Sequence, residues 1–449
     1  MNLKKLNYLV PLIMAIIIVS VSVLIESYIN ESVIKVMRVF SITLLLLSSY
    51  FRKSLTFTIL MSMLIGIIIG HEFPDFSQKL KIISQIFLRL IKTIIAPLLF
   101  GTLVTGIAGH GNIKQVGRLG WKSILYFEIV TTLALIIGLL VINFTQAGVG
   151  IELPALANED IPQVAKQSFS DIILHIFPEN IAKAIFEGAI LQIVLFSILF
   201  GVGLSLTEGK HKTVMLDFVE SLSEVMFKFT KIVMYAAPIA VGAAIAYTVG
   251  HMGLGILSNL LKLLLSLYLA LAIFLIFVLF PIALFYKVKI KKLAKLIAEP
   301  VAIAFATTSS EAALPKAMKA LEEYGVSRKV VAFTMPMGYS FNLDGTTLYL
   351  SLATIFVAQA AGIDLSTSVQ ISIMLTLMLT SKGVAGVPRA SLVILMGTLA
   401  SFNLPVEPVF IILGIDELMD MARTSVNVIG NCLATVVIAK SEGELFDEN

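Results

Sequence analysis

Residues 304–317 read AFATTSSEAALPKA, and residues 380–390 read TSKGVAGVPRA. Each string interrupts a long apolar stretch in the same way: a Thr, then polar or small residues, then a Pro eight positions after the Thr, then a basic residue and an Ala. Thr307 corresponds to Thr380, Pro315 to Pro388, Lys316 to Arg389 and Ala317 to Ala390. Pro and Gly break helices, and Ser or Thr hydroxyls satisfy the backbone groups that the break frees. Two such breaks in corresponding places predict paired re-entrant helical hairpins related by an inverted repeat. In a secondary transporter that arrangement places a binding site near the middle of the bilayer.

The composition around these strings requires lipid as the solvent. The chain has 449 residues, of which 58% are hydrophobic and 14% charged; its mean hydropathy is +0.96. Soluble domains carry roughly 25% charged residues. One span takes about 20 apolar residues, so this length allows roughly ten spans with short loops. Apolar stretches run at about 7–25, 36–51, 54–71, 84–106, 122–145, 185–206, 229–250 and 253–286, with interrupted ones from 297 onward. They are continuously apolar and too long for barrel strands. The expected fold is therefore all-α: a multi-span helical transporter with two re-entrant helical hairpins and inverted repeats.

The basic residues lie in short connections. Lys4/Lys5, Arg52/Lys53, Lys114/Arg118 and the group Lys287, Lys289, Lys291, Lys292 and Lys295 predict cytoplasmic flanks. The link from Gln146 to Asn180 carries Glu152, Glu159 and Asp160 before its first lysine, Lys166, and reads as external. The run Leu9–Leu24 after Lys4 and Lys5 reads as an uncleaved first span, because no small-residue cleavage site follows. No basic stripe suggests nucleic acid. The single cysteine, Cys432, excludes an internal disulfide, and the five scattered histidines exclude a helical zinc pair.

Three further features carry chemistry. Gly338-Tyr339-Ser340-Phe341-Asn342-Leu343-Asp344-Gly345-Thr346-Thr347 lies between apolar helical flanks. Asn, Asp and Gly together should unwind the helix and present carbonyls beside a carboxylate, the ligand set of a hard cation such as Na⁺. The alternative is a structural kink with Asp344 merely hydrogen-bonded. In the last span, Asp416, Asp420, Arg423, Thr424, Asn427 and Asn431 form one stripe at helical spacing, opposite Leu418, Met421, Val426, Ile429 and Leu433. Arg423 offers a planar fork suited to a carboxylate, and Asp420 can take an ammonium, so together they suit a zwitterion with a second carboxylate. The alternative is an internal Asp420–Arg423 ion pair that packs helices. In the first half, Glu128 stands alone in an apolar span and should face the protein interior. A lysine such as Lys122 is the partner that would make it purely structural.

These residues resemble the dicarboxylate/amino acid:cation symporter family, which includes the glutamate transporters, over about residues 54–443. Asn342-Leu343-Asp344-Gly345-Thr346 is similar to its Asn-Met/Leu-Asp-Gly-Thr signature, Ser309-Ser310-Glu311 to its first hairpin tip, and Gly386-Val387-Pro388 to its second. Asp420 to Val428 is similar to its substrate helix. The resemblance implies a homotrimer with a fixed scaffold, mainly 54–110 and 180–250, and a mobile transport unit, mainly 118–146 and 253–443, that moves across the bilayer as an elevator. It implies Arg423 on the substrate side-chain carboxylate and Asp420 on its amino group, with Thr424 assisting. Asn427, Ser310, Thr346 and the Val387–Pro388 turn would surround the rest of the substrate. Asp344, Asn342, Thr131 and Thr132 would match one cation site; Ser340 and Ser381, with Gly338 nearby, would lie at another.

The chain departs from the pattern in places. Sodium-coupled members carry a cation-binding Asp where this chain has Asn431, as bacterial proton-coupled glutamate and dicarboxylate symporters do. The family's extra arginine is absent, the positions being Thr308 and Met421, and Arg389 is the candidate to compensate. Residues 1–51, two extra hydrophobic spans, have no counterpart. The expected function is import of glutamate or aspartate across the cell inner membrane with protons as the coupling ion and no cofactor. Both termini, including the tail 444–449, should be cytoplasmic. A sodium-coupled carrier and a C4-dicarboxylate:proton symporter are the alternatives. The proton carriers to consider are Glu128 first, one turn before Thr131, then Asp344 and Glu311. An intramembrane aspartyl protease would need a Gly-x-Gly-Asp loop and a serine hydrolase a Gly-x-Ser-x-Gly elbow; neither occurs. Paired broken helices and a charged stripe favour occlusion over a continuous channel pore.

Overall fold

The computed structural model describes residues 7–108, 113–151, 177–187, 190–383 and 390–446. Lys4 and Lys5, the acidic link residues, Arg389 and the second hairpin tip with Val387 and Pro388 lie outside the described residues. In chain order the helices are α1 Leu9–Ile25, α2 Glu31–Arg52, α3 Leu55–Glu72, α4 Pro74–Lys79, α5 Lys81–Ala108, α6 Ile113–Thr145, α7 Ile181–Glu187, α8 Ile190–Leu206, α9 Gly209–Met234 and α10 Ala237–Met252. They continue with α11 Ile256–Phe274, α12 Phe280–Phe285, α13 Ile290–Thr307, α14 Ser310–Tyr324, α15 Arg328–Phe341, α16 Asp344–Ala360, α17 Thr367–Thr380, α18 Ala390–Ser401 and α19 Glu407–Glu442. Among the described residues the only β pairing is one isolated bridge, Val326 with Leu445. Among the described residues, six helical segments are long and apolar enough to cross a membrane, or seven if one bent pair counts as a single span. The protein is a helical, multi-pass membrane protein.

Proline explains where the helices depart from the apolar runs. The run 229–250, expected as one span, is two helices: α9 ends at Met234, α10 starts at Ala237, and the pair is bent by 49°. Pro238 sits in the first turn of α10. It has no N–H to give the preceding turn, and its ring crowds that turn's carbonyl, so the chain restarts there. Pro281 acts more gently, in the first turn of α12, where the five residues Leu275–Leu279 before the helix form a π turn. The wider i→i+5 loop absorbs the irregularity while the segment continues.

The chain divides into two compact units. One comprises Met1–Leu90, Lys231–Leu261 and Val409–Glu417. Within it α3 and α10 pack through small residues: a Cβ at Gly66 would land on the Gly242 carbonyl, so only glycine permits this approach. The extra N-terminal helices are held by Arg38. Its buried guanidinium donates to Glu72 Oε1 at 2.7 Å, Glu26 Oε2 at 2.8 Å and Ser22 Oγ at 3.1 Å. Lys35 Nζ adds a bond to the Glu72 carbonyl at 2.9 Å. A charge in an apolar surround must be paired, and this cluster ties α1, α2 and α3 together.

The other unit comprises Ile91–Thr230, Lys262–Pro408 and Leu418–Asn449. Its centre is α16, in which every residue except Gln359 is buried. α6 runs beside it. Asn143 at the end of α6 donates to Gln370 of α17 at 2.7 Å. Lys122, near the start of α6, is paired with Glu442 at the end of α19. The first polar string folds into two helices packed on each other, α13 and α14. Thr308 takes the left-handed conformation between them (φ 52°), and the Ser309 hydroxyl caps α14 by accepting from the Ala312 N–H. The helix break expected in the Asn-Leu-Asp-Gly motif is present: Asn342 (φ −128°, ψ 61°) and Leu343 (φ −95°, ψ 67°) separate α15 from α16.

Candidate functional site

The polar stripe of α19 is buried along its length: Asp416, Asp420, Arg423, Thr424, Asn427 and Asn431 are each at most 4% exposed. Arg423 is the largest fully buried side chain described. Its Nε donates to Asp420 Oδ1 at 2.9 Å, one turn earlier, and its guanidinium lies over the Tyr349 ring at 4.0 Å. Thr424 Oγ1 donates to the same Asp420 oxygen at 3.0 Å. The i,i+3 ion pair raised as an alternative is thus formed in this structure. It does not exclude recognition, because a guanidinium carries five N–H donors and this bond uses one. Tyr349 was not singled out from the sequence. Its aromatic face beneath a buried arginine holds the fork in plane.

Asn427 reaches the other side of the helix break. Its Oδ1 accepts from the N–H groups of Gly345 at 2.8 Å and Thr346 at 3.2 Å, and its Nδ2 donates to Thr346 Oγ1 at 2.9 Å. These N–H groups belong to the first turn of α16, which has no intrahelical partner for them. A side chain of α19 therefore supplies the cap that Leu343, at the N-cap position, cannot. Gly345 must be glycine here, since a Cβ would run into the Arg423 carbonyl.

A second cluster forms at the break itself. Asn342 Nδ2 donates to Asp344 Oδ2 at 3.3 Å and to Asn431 Oδ1 at 3.2 Å. Asn342, Asp344 and Asn431 are all buried. Among the described residues, Asn342 Oδ1, Asp344 Oδ1 and Asn431 Nδ2 have no hydrogen-bond partner. Two buried oxygens with open lone pairs, one of them on a carboxylate, fit a small hard cation or a proton. The Gly338 carbonyl accepts from the Asn342 N–H at 2.8 Å. Ser340 lies on α15, Ser310 is a buried residue at the start of α14, and the Ser381 hydroxyl is buried with no partner among the described residues.

Thr131 and Thr132 are held by their own helix. Thr131 Oγ1 donates to the Phe127 carbonyl at 2.6 Å and Thr132 Oγ1 to the Glu128 carbonyl at 2.7 Å. Glu128 is not paired with Lys122, whose partner is Glu442. Its partner is Lys382, with Nζ 3.1 Å from Glu128 Oε2. Lys382 also donates to Thr131 Oγ1 at 2.6 Å and to the Phe341 carbonyl at 3.4 Å. The signal for Lys382 was present in the sequence as a lysine inside the second hairpin string. The i,i+251 separation from Thr131 is why no spacing rule could join them.

Comparison with known proteins identifies the family. A sequence profile described as the sodium:dicarboxylate symporter family matches residues 55–441. The chain is 43% identical over 402 residues to a C4-dicarboxylate transport protein of Bacillus subtilis (strain 168), covering 88% of this chain and 95% of the relative. It is 43% identical over 397 residues to a proton/glutamate-aspartate symporter of the same organism, covering 87% and 95%. A proton/sodium-glutamate symport protein of Geobacillus stearothermophilus is 41% identical over 404 residues, covering 88% and 96%.

Proposed function

The chain belongs to the sodium:dicarboxylate symporter family, and we propose that it imports acidic amino acids, glutamate or aspartate, in symport with protons. The observation that carries this reading is Arg423, a fully buried guanidinium on a membrane-spanning helix, stacked on Tyr349 one turn from Asp420. A bound substrate would place its distal carboxylate on the guanidinium and its ammonium on Asp420, dividing the internal ion pair between two charges of opposite sign. Thr424 and Ser310, with the Val387–Pro388 turn, would close around it. Asn427 and Thr346 would contribute by fixing the start of α16, whose first N–H groups face the α19 stripe.

The coupling proton belongs on Asp344 in this reading. Glu128 is compensated by Lys382, whereas Asp344 keeps one oxygen without a partner among the described residues. A proton there removes the net charge before the site crosses the bilayer, where a bare carboxylate is costly. Asn431 stands beside Asn342 as a neutral amide, so it gives a sodium ion an oxygen but no charge. We read the assembly as a homotrimer in the bacterial inner membrane with cytoplasmic termini. Elevator movement would carry residues 118–146 and 253–443 against a scaffold of 54–110 and 180–250, with the hairpins re-entrant.

One observation favours a C4-dicarboxylate:proton symporter as a second reading. Asp420 already receives Arg423 and Thr424, so a substrate without an ammonium leaves it satisfied. Uptake of labelled glutamate, aspartate and succinate into proteoliposomes, under separate proton and sodium gradients, decides between them. Accumulation of the amino acids under the proton gradient, abolished by an uncoupler, supports the first reading. Succinate accumulation alone supports the second, and dependence on the sodium gradient refutes proton coupling.

A further inference from the structure

Lys382 lies in the three-residue 3₁₀ turn Ser381–Gly383 that ends α17. Its side chain is only 12% exposed. An ammonium has three N–H donors and no acceptor, and the three oxygens around Nζ match that number. They are the Thr131 hydroxyl at 2.6 Å, Glu128 Oε2 at 3.1 Å and the Phe341 carbonyl at 3.4 Å. Thr131 gives its own proton to the Phe127 carbonyl, so it turns a lone pair toward the ammonium. The Phe341 carbonyl is at the end of α15, immediately before Asn342 and the helix break. A hydroxyl, a helix-end carbonyl and a carboxylate beside an unwound segment form the kind of oxygen set that binds a hard monovalent cation.

We propose that Lys382 is a tethered cation: its ammonium fills the place at Thr131 and the Phe341 carbonyl that a free sodium ion would otherwise take, and so sets the ion specificity of transport. The proposal rests on the cation-coupled reading above and deepens it. A sodium ion within bonding distance of Thr131 Oγ1 would lie in contact with the ammonium, so the two positive charges exclude one another by size and by repulsion. The lysine arrives from the second hairpin string, whereas Thr131 and Glu128 belong to α6. The positive charge is therefore covalent cargo of the protein, and only Asp344 is left to be neutralised by an ion taken from solution.

A merely structural Lys382–Glu128 pair makes a different forecast, and sodium titration separates the two. Purified protein in detergent is melted in rising NaCl against choline chloride at constant ionic strength, without substrate. The proposal expects wild type and Lys382→Arg to melt alike in both salts, and Lys382→Met to gain a saturable upward shift in Tm specific to sodium. Adding Thr131→Ala to Lys382→Met should remove that gain. Because Lys382→Met leaves Glu128 without its partner, the double variant Lys382→Met/Glu128→Gln is melted beside it. That variant removes both charges and should keep a saturable sodium-specific shift, smaller because an amide oxygen replaces the carboxylate. Wild type shifted by sodium as much as the methionine variants, or no sodium shift in either methionine variant, overturns the proposal. No amino acid enters this measurement, so its outcome is independent of whether the substrate assignment stands. In proteoliposomes, the same double variant should convert sodium-indifferent aspartate uptake into uptake stimulated by a sodium gradient.

Discussion

Replacing Arg423 by Met keeps an unbranched apolar stem, shorter than the arginine, and removes the charge. Arg423 is fully buried, bonded to Asp420 at 2.9 Å and stacked on Tyr349 at 4.0 Å. Two losses should appear together. A substrate carboxylate deprived of a desolvated charge partner loses about 2–5 kcal/mol of binding, which is roughly 30- to 5,000-fold in Kd. The fold loses part of the approximately 3–5 kcal/mol that breaking a buried pair costs, moderated because Thr424 still donates to Asp420. The two effects are separated by Arg423→Met/Asp420→Asn, which removes both charges and should recover most of the melting temperature while leaving aspartate binding weak. The assay is calorimetric titration of aspartate into detergent-purified protein, with Tm measured in parallel. Aspartate affinity within about threefold of wild type in Arg423→Met, with stability alone reduced, would refute the receptor assignment and leave the pair as helix packing.

Asp420→Asn is expected to weaken glutamate and aspartate binding at least tenfold more than succinate binding; equal losses in competition assays would favour the dicarboxylate reading. Asp344→Asn should abolish accumulation driven by a proton gradient while sparing substrate exchange between equal pH on both sides, and Glu128→Gln should leave proton coupling in place. Loss of coupling in Glu128→Gln alone would move the proton to Glu128. Asn427→Ala strips two N–H groups of α16 and the Thr346 hydroxyl of their partner, each buried group left unsatisfied costing about 1–3 kcal/mol. It should lower Tm clearly, whereas Asn427→Asp keeps the acceptor at a helix N-terminus and should lower it much less; equal melting of the two would show that the cap contributes nothing.

Sequence by itself determined the solvent, the helical class and the places where helices stop. Those properties are local: the apolar content of a 20-residue window, and the effect of Pro, Gly, Asn or Ser on the turn in which it stands. The breaks at Thr308 and at Asn342–Leu343, and the burial of the α19 stripe, were legible for that reason. The bend before Pro238 was legible in principle but was hidden by continuous apolarity across residues 229–250. Arg38 also stood in plain sight, yet its three partners lie on other segments.

Tertiary structure alone decided who pairs with whom. Spacing placed Asn427 on the stripe but could not show that its amide is engaged with the first turn of α16, 81 and 82 residues away. Lys122 was the nearest basic residue to Glu128 in sequence, yet it pairs with Glu442 at the end of α19, and Lys382, in the turn that ends α17, reaches Glu128 instead. The physical reason is that a buried charge takes whatever partner the packed helices bring within about 3 Å, because in a low-dielectric interior leaving it unpaired costs several kcal/mol. Helical periodicity fixes the face on which a charge stands, but only the packing of distant helices fixes which charge it meets.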